Sequence, residues 1–173
     1  MRMAMQPGPA LEPRILTADA AATIEMRLVV PEGADLLDGL KAALLARGVR
    51  NAAIALGGGR FRSMQYLTGQ IDPTGARVAT YGEPTVVEDA MLISGNAILG
   101  QGADGDDIVH CHAVVVDGAG RVHGGHLPPG TCIAGAGGIT AWATAHGGGG
   151  FRASYDPETN YPIFQPVTLE HSS

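Results

Sequence analysis

Three of the six histidines are clustered, as His110-Cys111-His112 and then His126. Successive side chains of a strand alternate between its two faces, so His110 and His112 point the same way and Cys111 points the other way. Two imidazoles placed in this way can converge on one metal ion at about 2.0–2.1 Å from each nitrogen. Zinc suits three neutral imidazoles best, and nickel, copper, iron and manganese are the alternatives. Such a site keeps a fourth position open for water or a substrate.

The position of His126 depends on the turn that joins the two histidine-bearing strands. In a first register, Val116 pairs with Arg121, and His126 then lies opposite Cys111. Because Cys111 faces away from the other two histidines, this register excludes a site with three histidines.

In a second register, Asp117 pairs with Arg121 across a three-residue loop, and Gly120 supplies the left-handed residue that such a loop needs. His126 then lies opposite His112, and the three imidazoles share one patch. We prefer this register and predict three metal ligands, His110, His112 and His126. The alternative is that they are ordinary hydrogen-bonded histidines of a β-rich domain.

No catalytic residue can be assigned beside the predicted metal site. Asp106, Asp107 and Glu88 are candidate general bases, but nothing in their spacing selects one of them. The acidic loop 104–107 could orient a ligand histidine, although such loops are more often solvated. Cys111 is a poor candidate nucleophile, because an apolar setting raises the pKa of a thiol.

Two further features could bind an anion in a small-ligand binding protein. The run Gly57-Gly58-Gly59 lacks the following lysine and hydroxyl residue of a phosphate loop, which favours a turn at the end of a strand. Arg60 and Arg62 are close neighbours and could hold an anion, but such residues are more often solvated.

Length and charge limit the protein class. The chain has 173 residues, which fits one domain over residues 23–168 with an N-terminal extension, 1–22, and a C-terminal tail, 169–173. Eleven Lys and Arg against 17 Asp and Glu give a net charge of -6, and the basic residues are scattered. This charge argues against a nucleic acid partner.

The compartment can also be predicted from the sequence. No run of about 18 apolar residues is present, so we expect no membrane association. Cys111 and Cys132 lie in apolar segments with no export signal before them, which indicates reduced thiols and a cytoplasmic protein.

The elements that must position the histidines form an α+β fold, a mostly antiparallel β-sheet with one main helix packed on it. Asp35 precedes leucines at helical spacing over Leu36–Leu45, which predicts a helix of about 14 residues with Gly48 as its cap. One such helix cannot cover the whole sheet, so we expect a second sheet or another subunit there and predict a homo-oligomer. The predicted strands are 23–30, 52–56, 61–68, 76–81, 86–99, 108–116, 121–127, 131–134, 139–144 and a last one near Ile163–Val167.

The histidine block resembles a known signature. Val109–Val114, Gly120–Val122 and Gly124–Leu127 look like the H-x-H-A…G-R-V-x-G-G-H-L pattern of the PPC domain family, in its prokaryotic branch without an AT-hook. Supporting stretches bring the resemblance to about residues 24–165. They are Pro31–Leu37, Ile93–Asn96 and Tyr155–Thr159.

The resemblance implies an α+β fold, a trimer, and histidines that hold a metal. Relatives are often described as DNA-binding because plant members carry AT-hooks, but this chain has no basic Arg-Gly-Arg-Pro core. Family members often carry a glutamate after the histidine block, where this chain has Gly137 and Gly138, so no role of that glutamate carries over. A cupin barrel also shows H-x-H before an acidic ligand, yet Asp117 fits the start of a turn better.

Two functional hypotheses follow from these observations. The first is a trimeric, zinc-binding PPC-like protein whose open metal position could serve an enzyme or a small-molecule ligand. The alternative is a DNA-associated regulatory scaffold in which the histidines are structural.

Overall fold

The computed structural model describes residues 5–14, 16–20 and 22–169. The remaining positions belong to the predicted N-terminal extension and C-terminal tail and lie outside the described residues. The elements in chain order are β1 (Ala22–Val30), α1 (Leu36–Leu45), β2 (Ala52–Tyr66), β3 (Gly69–Gln70), β4 (Thr80–Tyr81), β5 (Thr85–Gln101), β6 (Asp107–Val116), β7 (Val122–His126), β8 (Ile133–Gly147), β9 (Gly149–Asp156) and β10 (Tyr161–Thr168).

One large sheet organises the chain. Its main path runs β1-β8-β2-β5-β6-β7 with antiparallel neighbours throughout. The β9–β10 hairpin joins this sheet through a parallel pairing of Gln101 in β5 with Arg152 in β9. The predicted α+β fold with a mostly antiparallel sheet is confirmed.

Helix α1 begins at a capping aspartate that the sequence had placed correctly. One oxygen of Asp35 accepts hydrogen bonds from the N–H groups of Leu37 and Asp38, and the other accepts one from Cys132 at 3.0 Å. The same carboxylate therefore caps the helix and ties it to the start of β8. The helix has ten residues rather than about 14, and Gly48 follows it with a left-handed φ of 71°. This helix is too short to span a membrane, and no other helix is present in the described ranges.

The core lies between α1 and one face of the sheet. The helix packs against β1, β6 and β8. Because three strands separate β1 from β6 along the sheet, the sheet must curl around the helix. Both cysteines are buried on this side and are free thiols. The largest fully buried side chains include Phe61, Leu36, Leu40, Leu44, Met64, Leu99, Leu127 and Ile139.

Among the described residues, no helix covers the opposite face of the sheet. Val29 of β1, Trp142 of β8, and Val114 and Val122 of β6 and β7 are exposed on this open face, and Trp142 is 55% exposed. The expectation that one helix leaves much of the sheet uncovered is confirmed. Within the described part of the chain, the second sheet is limited to the two-stranded pair β3–β4.

The predicted turn at Gly57–Gly59 is wrong, because β2 continues through these glycines as a bulged strand. The pairing of β2 with β8 shifts register here. Gly59 has a φ of 135°, and a Cβ atom there would collide with the carbonyl oxygen of Gly138. Gly138 is itself left-handed and packs as closely on Val30. Glycine allows the two strands to approach while the pairing resumes on each side of the bulge.

The C-terminal hairpin is only partly predicted by the sequence. The last predicted strand lies inside β10, and residues 157–160 form the turn that joins β9 to β10. Strand β9 is absent from the predicted strands, because a run of glycines such as 147–150 favours a turn over a strand. Only Gly148, with a φ of 74°, separates β8 from β9.

The N-terminal segment braces this hairpin. The N–H of Gly8 donates to the carbonyl of Glu158 at 3.0 Å, and Arg14 donates two hydrogen bonds to Asp156, at 2.9 and 3.0 Å. The side chain of Asp156 is fully buried and also accepts a hydrogen bond from the hydroxyl of Thr159 at 2.6 Å. A buried carboxylate thus holds residues 8–14 to the β9–β10 turn.

This brace predicts an acid-sensitive contribution to stability. The hydrogen bonds from Arg14 lower the pKa of Asp156, and the Thr159 hydroxyl adds to the effect. A depressed folded-state pKa stabilises the fold above the usual value of about 3.9 and loses its effect as the pH falls below that value. We expect Arg14→Ala to be less stable than the wild type at pH 7, and the difference to shrink on acidification to pH 3.

Urea unfolding followed by circular dichroism at both pH values measures this difference. Arg60→Ala is the control, because Arg60 pairs with Asp89 at 2.7 Å where both side chains are exposed. A difference for Arg14→Ala that stays constant with pH would contradict the role of Asp156.

Candidate metal centre

The turn between β6 and β7 has the preferred register. His112 lies opposite His126. The N–H of Asp117 donates to the carbonyl of Arg121 at 3.0 Å, and Gly120 is left-handed with a φ of 78°. The three-residue loop is confirmed, and the alternative pairing of the turn is wrong.

The three histidines converge on one point of the open face. Each offers a ring nitrogen, and these three atoms lie within 4.8 Å of one another. The Nε2 atoms of His110 and His112 are 3.0 Å apart, and the ring centroids of His110 and His126 are 4.7 Å apart. His112 is exposed and the other two are half-buried. The predicted grouping of these side chains is therefore present.

Burial keeps these imidazoles neutral. It lowers the pKa of His110 and of His112, and it lowers the pKa of His126 to about 4, with further contributions from the two neighbouring rings. A neutral imidazole is the form that binds a metal. The Nδ1 atom of His126 is buried and has no hydrogen-bond partner among the described residues. Three neutral imidazoles, one of them with a buried nitrogen that lacks a hydrogen-bond partner among the described residues, fit a transition metal such as zinc.

Two aromatic rings that the sequence analysis missed surround the histidines. The ring of Tyr81, from β4, stacks on His126 with centroids 5.0 Å apart and an interplanar angle of 18°. The ring of Phe164, from β10, lies with its centroid 6.1 Å from the ring centroid of His110. Both fall in predicted strands, but no local pattern shows that these strands fold against β6 and β7.

Residues 67–82, called here the 67–82 segment, are held beside the centre by backbone pairing. Leu67 and His126 exchange two hydrogen bonds, at 2.8 and 2.9 Å. The N–H of Val78 donates to the carbonyl of Thr159 at 3.0 Å. The segment is therefore fixed to His126 at one point and to the β9–β10 turn at another.

The candidate general bases do not reach the histidines. Asp107 forms an ion pair with Arg50 at 2.9 Å, and Asp106 and Glu88 are exposed. None of the three candidates hydrogen-bonds to a clustered histidine in the described structure, and the acidic loop 104–107 likewise makes no such bond there. Cys111 is buried, which raises the pKa of its thiol to about 12 and makes it unreactive.

Asp117 and Arg60 bind partners other than the clustered histidines. Asp117 accepts hydrogen bonds from the Nε of Arg121 at 2.7 Å and from the backbone of the turn, and it lies 3.0 Å from the Nε2 of His123. These bonds lower the pKa of Asp117 and make it a turn residue, so the cupin alternative does not hold. Arg60 is paired with Asp89 and is not free to bind an anion.

Several known proteins are similar to this chain. A metal-containing protein from Archaeoglobus fulgidus is 20% identical, with a TM-score of 0.64, over 91% of this chain and 99% of that one. A plant- and prokaryote-conserved (PPC) protein from Pyrococcus horikoshii is 20% identical, with a TM-score of 0.64, over 90% and 100% of the two chains. A protein from Ralstonia eutropha JMP134, provisionally named as DNA-binding, is 17% identical, with a TM-score of 0.64, over 80% and 89%.

At these identities the solved structures show the shared fold alone. No curated protein matches the chain. A model of the Plants and Prokaryotes Conserved (PCC) domain matches residues 19–143, a range that contains all three clustered histidines and most of the chain. The resemblance drawn from the histidine block is thereby confirmed, and this chain belongs to the Plants and Prokaryotes Conserved domain family.

Proposed function

We propose that this protein binds a divalent transition metal, zinc by preference, through His110, His112 and His126. The observation that carries the proposal is the convergence of three neutral ring nitrogens within 4.8 Å, with the Nδ1 of His126 buried and unpaired. The metal-containing protein from Archaeoglobus fulgidus has a similar fold, which supports the proposal.

Three protein ligands leave one position for an exogenous group. Zinc in such a site acts as a Lewis acid and lowers the pKa of a bound water to about 7. The residues of this chain hold the imidazoles neutral and place the Tyr81 ring against His126. Since no candidate base reaches the site, we propose metal binding with an accessible ligand position and assign no reaction.

The metal content of the full chain tests this proposal. Protein purified without an affinity tag or chelator is expected to contain about one transition-metal ion per chain by mass spectrometry. Protein that contains none and takes up none from added zinc would contradict the proposal and favour structural histidines.

We also propose that the chain forms a homotrimer through the open face of its sheet. The exposed apolar side chains there, Trp142 among them, support an interface. The resemblance to the family points to three copies. Light scattering is expected to give about 53 kDa, three times the 17.7 kDa of the chain.

A charge placed in the open face should break this assembly. Trp142→Glu is expected to give a single chain of 17.7 kDa, because a carboxylate would be buried without a partner. Met5→Glu is the control, since Met5 is 79% exposed and precedes the first strand of the sheet. An unchanged mass for Trp142→Glu would place the interface elsewhere.

DNA binding is a second candidate, favoured by the provisional name of the Ralstonia protein. The net charge of -6 opposes it, because binding to duplex DNA draws on contacts between basic residues and phosphates. Fluorescence anisotropy with a labelled duplex is expected to show no binding at moderate salt. Binding that weakens steeply as salt rises would support this candidate instead.

A further inference from the structure

An apolar cavity of about 430 Å³ opens beside the candidate metal centre. His112 and His126 form one part of its wall, and Tyr81, Tyr161 and Ile163 form much of the rest. An apolar cavity of about 150 Å³ is enough to take benzene, so this cavity has room for an aromatic ring with substituents. A ligand inside it would lie next to the ring nitrogens.

The wall favours a flat and uncharged ligand body. Tyr81 already presents a ring parallel to His126, and Tyr161 adds a second phenol ring. Aromatic rings attract one another in offset-stacked and edge-to-face arrangements in addition to burying apolar area. Leu67 and Val78 complete an aliphatic side. An aromatic ring matches this surface better than a sugar or a charged chain does.

The charge of the metal centre favours an anionic head group. Three neutral imidazoles leave the double positive charge of a bound divalent ion uncompensated. The described lining of the cavity contains no aspartate or glutamate. Asp72, in the neighbouring 67–82 segment, is hydrogen-bonded within its own turn by Thr74 at 2.7 Å and the N–H of Arg77 at 2.9 Å. A carboxylate on the ligand would supply the compensating charge.

The cavity combines two parts of the chain. The histidines lie within the family match at residues 19–143, whereas Tyr161 and Ile163 lie in β10, beyond it. The N-terminal brace on Asp156 and the bond from Val78 to Thr159 hold β10 and the 67–82 segment in place. The ligand preference is therefore built partly by a segment outside the matched region.

We propose that this cavity binds a small aromatic carboxylate, with its carboxylate at the open metal position and its ring against Tyr81, Tyr161 and Ile163. This inference rests on the proposed metal site. It adds the class of ligand that the site takes.

Binding of simple probes to the cobalt-loaded full chain tests the proposal. Cobalt occupancy is measured first, and the visible spectrum of the bound cobalt then reports entry of a new ligand. Benzoate is expected to bind at least about tenfold more tightly than acetate, because burying about 60 Å² of apolar ring surface corresponds to that factor. Benzamide, which has the ring without the charge, is expected to bind more weakly than benzoate.

A matched pair of variants locates the ring. Ala79 is half-buried and lines the cavity, whereas Ala76 is exposed in the same segment and does not line it. Ala79→Trp fills the cavity and is expected to remove the preference for benzoate over acetate while cobalt remains bound. Ala76→Trp is expected to keep both cobalt and the preference.

The outcomes separate the two proposals. Cobalt binding with equal affinity for benzoate and acetate, or a preference that survives in Ala79→Trp, overturns the ligand proposal and leaves the metal site standing. A wild-type chain that takes up no cobalt overturns the metal proposal and the ligand proposal with it. Only cobalt binding with a benzoate preference that Ala79→Trp abolishes supports both.

Discussion

Replacing His126 with alanine should abolish stoichiometric zinc binding, with a loss of affinity greater than about 100-fold, since losing even a residue that only orients a ligand costs 10–100-fold. His126 is the proposed ligand on a second strand, and it completes the group with His110 and His112. The two remaining imidazoles share one strand and leave the ion one protein donor short of the proposed three-histidine site. Competition with a chromophoric chelator gives the affinities, and mass spectrometry gives the metal content.

His123→Ala provides the matched control for this loss. His123 lies three residues before His126 in β7, but its ring faces Tyr66 and Asp117 on the other side. This variant is expected to keep wild-type zinc affinity. Equal losses in both variants would mean that damage to β7, rather than removal of a ligand, explains the result. Retention of zinc by His126→Ala would remove His126 from the site.

Phe61→Ala should cost about 3–5 kcal/mol of unfolding free energy, the usual cost of removing a buried aromatic ring. Phe61 is fully buried in β2, in the middle of the sheet. Its neighbours across the two adjoining strands are Ala90 and Ala134, both fully buried. These small residues make room for the ring and cannot fill the space that it leaves, so a cavity should remain.

Urea unfolding of Phe61→Ala and of Met91→Ala measures this cost. Met91 pairs with Arg60 on the same two strands but is 49% exposed, so its truncation is expected to change stability by no more than about 0.5 kcal/mol. Similar losses in the two variants would mean that β2 and β5 do not hold the core around Phe61. A loss below about 1 kcal/mol for Phe61→Ala would show that the core closes over the missing ring.

The histidine grouping could be predicted because its determinants are local. Two of the histidines are two residues apart in one strand, and the third is fixed by a turn whose chemistry is set by Asp117 and Gly120. The helix start could be predicted for the same reason, since Asp35 acts on the N–H groups of residues two and three positions later. Strand period and turn type were enough to group the histidines, and the capping chemistry of Asp35 was enough to place the helix start.

The surroundings of the histidines could not be predicted in this way. Tyr81, Phe164 and Ile163 reach the centre only through pairings between segments far apart in the sequence. The bulge at Gly59 could not be predicted, because consecutive glycines indicate a break in a strand as readily as a bulge within it. Strand β9 was lost for the same reason, since its first residues are glycines.

The pairing of β1 with β8 has a consequence for how the chain reaches its fold. Paired residues of these two strands, from Ala22 with Gly147 to Val30 with Ile139, are more than 100 positions apart. Non-local pairings of this kind slow folding to the range of about milliseconds to seconds. A long loop must first close, at a cost in chain entropy, before the contacts between the two strands can stabilise it. During synthesis β1 emerges early, whereas its partner β8 begins only at residue 133. The helix can contact β1 at once, but its contacts with β6 and β8 form later. The first strand to be made is thus among the last to be paired.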